Sequence, residues 1–212
     1  MGAQDNEAGG RVADSGKAES SAEAAERQCG ACSLCCTVLR VDELGKLAGT
    51  PCRHQRLDDP RGGCGIHASR PGICRRYRCL WLGGSLAEDD RPDRLGAVLS
   101  LASDGLTPTL FVHEARPGAF DASPRLQAIA ERFRTTVPVR IAPAADVLNP
   151  DRPHRLLLAD GEEHRIEGAV TRVYRDGALV ETRRLSALER GFRRLTVALQ
   201  RWHLASAARR AH

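Results

Sequence analysis

The sequence predicts an α+β protein: a small cysteine-rich module followed by a small mixed α+β region. Three observations carry this. All eight cysteines fall between Cys29 and Cys79, and the other 161 residues have none. Beyond that segment, strand-like runs alternate with turn signals at Ser103-Asp104-Gly105, Asp160-Gly161 and Asp176-Gly177. Two further stretches show helical periodicity, one behind Ser123-Pro124 and one behind Ser186.

Residues 1–28 are rich in Ala, Glu, Gly and Ser, with Val12 the only large apolar residue after Met1. They bury too little to order themselves and read as a disordered leader, although Ser20–Glu26 suits the start of a helix leading into the next segment. Residues 29–83 form the module. Few apolar residues and many Gly and Pro leave it little core of its own, so it needs an external cross-link. Residues 84–95 are polar and read as a linker. In residues 96–212, Ala97–Leu101, Thr109–Val112 and Val137–Ile141 read as strands, and so do the pairs flanking the two later Asp-Gly turns, Arg155–Leu158 with Arg165–Glu167 and Val170–Tyr174 with Ala178–Thr182. Ser123-Pro124 reads as an N-cap with proline at the first helical position, ahead of Leu126, Ile129 and Phe133. Ser186 and Glu189 match a capping box. Behind it Leu188, Phe192, Leu195, Leu199 and Trp202 form one apolar stripe, expected either to close the core or to mediate self-association.

Formal net charge is +5, and arginine dominates it; the only lysines are Lys17 and Lys46. Residues 1–28 carry three cations and six anions, residues 29–95 eleven and eight, and residues 96–212 eighteen and thirteen. That spread lacks the dense basic stripe of a dedicated nucleic-acid binder, so a nucleic-acid partner is not expected. No run approaches the eighteen apolar residues of a membrane helix, and residues 1–28 lack a signal-peptide core. The expected location is therefore cytoplasmic, without a membrane partner. Disulfides are rare in that reducing compartment.

The cysteines are Cys29, Cys32, Cys35, Cys36, Cys52, Cys64, Cys74 and Cys79. The first four spell C-x2-C-x2-C-C. On a helix at about 100° per residue they would share one face roughly 120° wide, whereas an extended chain would send Cys35 and Cys36 to opposite faces. A helical turn is thus the expected arrangement. The glycines before Cys64 suit close backbone approach and N–H donation to sulfur. Eight thiols concentrated in one segment point to metal rather than to core packing. Thiolates are soft donors that select zinc, cuprous copper or iron–sulfur clusters. Four around one Zn²⁺ make a closed tetrahedral site, and four around a cubane hold a 4Fe–4S cluster. The proline-containing continuation of bacterial ferredoxins is missing. Eight thiols suffice for two mononuclear sites, one binuclear site, or one cluster with thiols to spare. His54 and His67 are candidate imidazole ligands, more simply read as solvated loop histidines. Arg70, Arg75, Arg76 and Arg78 surround Cys74 and Cys79 and would offset thiolate charge. Tyr77 and Trp81 read as the module's small core.

The paired motifs, Cys29-x2-Cys32-x2-Cys35-Cys36 and then C-x-I-H-x2-R-P-x2-C-R-x-Y-x-C from Cys64 to Cys79, resemble those of the YkgJ-type cysteine-cluster proteins, a zinc- or iron-chelating family. The resemblance covers about residues 29–83 and extends to Leu95-Gly96-Ala97-Val98 and Arg116-Pro117-Gly118-Ala119. His67 stands where many members carry tyrosine, and Cys52 lies outside the paired motifs. What the resemblance implies is metal chelation, with zinc or iron as the cofactor. The flagellin lysine N-methylases contain a related cluster, which implies a link to protein methylation. This chain shows no glycine-rich strand-to-helix turn for a nucleotide-like cofactor.

The function expected is thus metal chelation in a structural or metal-handling role. An iron–sulfur redox or enzyme-accessory role is the alternative, and a zinc-stabilised nucleic-acid module is the weaker one. No protein partner is indicated. Asp58-Asp59, Glu88-Asp89-Asp90, His113-Glu114 and Glu162-Glu163-His164 are better explained by loops and strand ends than by catalysis, so the sequence shows no active site.

Overall fold

The computed structural model describes residues 27–59, 62–103, 107–144 and 151–210. The leader up to residue 26, the helical reading of Ser20–Glu26 and the Asp104-Gly105 turn lie outside the described residues. Strands β1 (Ala97–Ser103) and β2 (Pro108–Glu114) pair antiparallel, with Leu99 opposite Val112. Ser123 accepts a hydrogen bond from the Leu126 N–H at 3.2 Å and starts a helix at Pro124, as its sequence predicts. That helix, Pro124–Arg134, carries the chain over to β3 (Val139–Pro143), which lies parallel to β2. Strands β4 (His154–Leu157), β5 (Glu162–Glu167), β6 (Val170–Arg175) and β7 (Ala178–Arg184) follow as an antiparallel meander. All seven form one mixed sheet whose spatial order is the chain order. At both later turns Asp and Gly have positive φ, Asp160 at 56° with Gly161 at 73° and Asp176 at 50° with Gly177 at 80°. Two such residues in succession make the hairpin turn whose twist matches the strands.

The period-two alternation of β1 sorts its side chains between two environments. Ala97 and Leu99 join Leu110, Val112, Val139, Ile141 and Leu157 in a core that Leu126, Ile129 and Ala130 of the crossover helix cover. Val98 and Ser100 face the other way, where Val98 forms part of the wall of a cavity in the cysteine-rich module. The class is α+β, built mainly on the sheet.

Three expectations change here. The 84–95 segment is folded, with a 3-10 turn at Glu88–Asp90, a short helix at Pro92–Leu95, and Leu86, Asp90 and Leu95 buried. Its polar look misleads because the carboxylate of Asp90 is satisfied internally, by the Ala87 N–H at 3.0 Å and by two bonds from Arg125 at 2.7 Å each. Trp81 belongs to the sheet core rather than to a separate module core. Its indole N–H donates to the Glu88 carbonyl at 2.9 Å, and the Arg27 guanidinium lies over its ring. The last helix, Ala187–Arg210, has the predicted capping box, with Ser186 and Glu189 each bonded to the other's backbone N–H. It does not close the core, however. Leu188 is 84% exposed and Phe192 72%. No helix among the described residues is long and apolar enough to cross a membrane.

Candidate functional site

Helix α1 (Leu34–Val38) carries Cys35 and Cys36, and α2 (Gly72–Arg76) carries Cys74. The helical turn expected for all four N-terminal cysteines begins only at Leu34. Gly30 takes a left-handed φ of 52°, and a separate turn joins the Cys32 N–H to the Cys29 carbonyl at 2.9 Å. Glycine adopts that conformation at no steric cost, so the chain turns twice instead of coiling once.

A set of polar bonds then brings distant cysteines together. The Cys52 N–H donates to the Cys36 carbonyl at 3.1 Å, and the Gln55 N–H to the Cys52 carbonyl at 2.9 Å. Gln55 forms an isolated β-bridge with Cys64. Its side chain reaches back to α1, donating to the Ser33 carbonyl and hydroxyl at 3.1 and 3.0 Å and accepting from the Thr37 hydroxyl at 2.9 Å. Glu43 accepts from the Gly72 and Ile73 N–H groups at 3.2 Å each, which caps the helix that holds Cys74. Lys46 is only 7% exposed and donates to the carbonyls of Thr37 and Leu39 at the end of α1. The Leu80 N–H donates to the Leu99 carbonyl at 2.9 Å and pins the chain just after Cys79 to β1. Gly62 crosses so close over Ala31 that a Cβ there would collide with the Ala31 carbonyl.

The result is one cavity of 820 Å³ lined by all eight cysteines, and every thiol is free. Cys52, which no motif placed, is among them. Among the described residues no three Cys, His, Asp or Glu side chains converge around a single point as a bound ion would require. The donors therefore share a cavity without yet sharing a centre. His54 and His67 also line it. Each meets an arginine at Nε2, His54 with Arg53 at 3.1 Å and His67 with Arg70 at 2.8 Å, which favours the plain reading of both.

The electrostatics hold several of the thiols protonated and single out Cys36 as the one favoured as thiolate. Burial pushes the Cys29, Cys32 and Cys74 thiols up. Cys35 donates to the Cys36 sulfur, which holds Cys35 protonated and lowers Cys36 to about 7. Sulfur also receives backbone donors: the Leu82 N–H at Cys79, 3.5 Å away, and the Leu34 and Asp93 N–H groups at Cys32. Arg27, Arg40, Arg70, Arg75 and Arg78 line the same cavity. Burial lowers Lys46 while the nearby sulfurs of Cys52, Cys36, Cys35 and Cys74 raise it. Gln55, Glu43 and Lys46 were not anticipated as organisers of the site. Only Lys46 left a sequence signal, as one of two lysines in an arginine-dominated chain.

Compared with protein-family models, with curated proteins and with solved structures, the chain finds no match.

Proposed function

We propose that this chain is a thiolate metal-binding protein that holds zinc or iron in a structural or metal-handling role. One observation carries the reading: eight free thiols from five separate segments line a single cavity. Packing alone gives no reason for so many to meet there. Soft sulfur donors select zinc, cuprous copper or iron–sulfur clusters, and the arginines along the wall offset thiolate charge. The resemblance of the paired cysteine motifs to the YkgJ-type proteins points the same way. We assign the protein to the cytoplasm, a reducing compartment in which disulfides are rare.

A second reading, an iron–sulfur redox or enzyme-accessory protein linked to lysine methylation, draws on the size of the cavity. At 820 Å³ it exceeds what one tetrahedral ion needs. Arg70, Arg75 and Arg78 face this cavity, which counts against a separate nucleic-acid surface.

The test is anaerobic purification of the full chain, with metal analysis by mass spectrometry and an optical spectrum of the same sample. Stoichiometric zinc without colour supports the structural or handling role. Iron with acid-labile sulfide and broad visible absorption selects the cluster reading. Neither metal, with all eight thiols titrating as free, overturns both.

A further inference from the structure

We propose that the last helix, Ala187–Arg210, pairs with the same helix of a second copy of this chain, through a seam formed by Leu188, Phe192, Leu195 and Leu199. This stands apart from the metal reading and does not depend on it.

The helix has two opposed faces. From Ala187 to Leu199 only Arg193 and Val197 are half-buried, and every other residue is exposed. These two are four positions apart and so share one side of the helix. Arg193 also donates to the Gly168 carbonyl at 3.1 Å, in the turn between β5 and β6. That side is therefore the one held against the chain's own sheet. At about 100° per residue, the apolar row is centred roughly 160° away from it. The row accordingly points outward, its four members between 57% and 84% exposed.

The spacing of the row says what fits it. Leu188, Phe192, Leu195 and Leu199 follow one another at four, three and four residues, and Trp202 comes three residues later. This is the alternation of a seam between two helices, sustained for two heptads. The row is narrow, about 80° of the helix surface, as such a seam is. Gly191 and Ala198 flank it on one side, Glu189 and Thr196 on the other, and none of them is a cation. Arg190, Arg193 and Arg194 stand on the far side. Two copies can thus bring their rows together without opposing arginines. An anionic membrane surface fits less well, because Glu189 borders the row and would meet the headgroups.

Gly191 agrees. Glycine inside a helix costs stability relative to alanine, yet a Cβ at Gly191 would meet nothing within 4 Å among the described residues. The chain's own packing does not call for it. Beside the seam it lets a second helix come close. The neighbouring edge strand is the poorer pairing element. β7 carries Glu181, Arg183 and Arg184, and a bulge at Val173 and Tyr174 interrupts its pairing with β6. Both features blunt an edge against strand addition. From Leu188 to Trp202 the seam is only about 22 Å long, so the dimer forms reversibly as concentration rises.

The experiment is sedimentation velocity of the full chain from low to high micromolar concentration, in reductant so that no disulfide links two copies. A reversible monomer–dimer equilibrium is expected. Leu195→Glu, at an exposed position, should weaken it by about tenfold or more while melting like the parent at concentrations where both are monomeric. Arg194→Glu, on the far side, should leave it unchanged. Flotation with phosphatidylserine vesicles is run on the same samples, and no binding is expected. A parent that stays monomeric throughout would overturn the proposal, as would a dimer indifferent to Leu195→Glu, or one that Arg194→Glu disrupts equally. A monomer that floats with the vesicles would give the face to a membrane instead.

Discussion

His113 lies on the side of β2 opposite the crossover helix, stacked on Phe111 with ring centroids 5.8 Å apart. Burial, with Arg152 and Arg140 nearby, lowers its pKa from 6.5 to about 4. The fold therefore keeps the imidazole neutral, while the unfolded chain takes up a proton near pH 6.5. The stability this represents is full above pH 6.5 and is lost as pH falls through about 4, a difference of about 3 kcal/mol. Urea unfolding at pH 7 and at pH 4.5 should show a smaller acid loss in His113→Phe than in the parent. Equal losses would mean the imidazole is not responsible. No local pattern marks this residue as buried, because its surroundings come from β3 and the chain that follows it. Cys52 was illegible for a related reason. Its place beside Cys36 depends on a backbone bond across sixteen positions of chain, and no spacing rule encodes that.

Elements were legible where their signals are local. The Ser123 cap, the Asp-Gly hairpins and the Ser186–Glu189 capping box are each decided within a few residues, and each stands where its sequence puts it. Prediction failed where a local preference met a distant partner. The 84–95 segment looked like a linker because the ion pair of its Asp90 lies with Arg125, 35 positions away. The four N-terminal cysteines looked helical by spacing, and the left-handed turn at Gly30 broke the periodicity. Helix α2 is similar, since it has five residues and its cap comes from Glu43, 29 positions earlier. Glu43→Ala should lower the melting midpoint by the equivalent of about 1 kcal/mol. Glu43→Gln, which keeps an acceptor oxygen, should lose less. Indistinguishable midpoints for all three proteins would remove the cap from the account of how Cys74 is held.

At the scale of the molecule, burial is concentrated at one end of the sheet. The core draws on β1 to β4 with the crossover helix, whereas every residue of β7 is exposed and the last helix presents Leu188, Phe192, Leu195, Leu199 and Trp202 outward. The apolar stripe was legible in the sequence, but the face it covers was not, because periodicity reports which residues align and says nothing of what they meet. The exposure removes core closure from the two roles expected for that stripe, and self-association is a prediction that truncation tests. A chain ending at Ser186 should melt close to the full chain, since surface losses of this kind fall within about 0.5 kcal/mol. It should also sediment as a smaller species than the full chain at the same concentration. A collapse of the melting transition on truncation would show that the last helix does belong to the core.

Strand order that follows chain order also sets a schedule. Synthesis runs from the amino end, so Cys29 through Cys79 leave the ribosome before β1, whose Val98 walls their cavity and whose Leu99 carbonyl fixes the segment after Cys79. For that interval the thiols are exposed on a nascent chain, open to oxidants and to any metal donor alike. Shelter arrives only when β1 pairs with β2, a hairpin that needs few further residues. On the metal-binding proposal, that interval is when the thiols would first meet a metal donor.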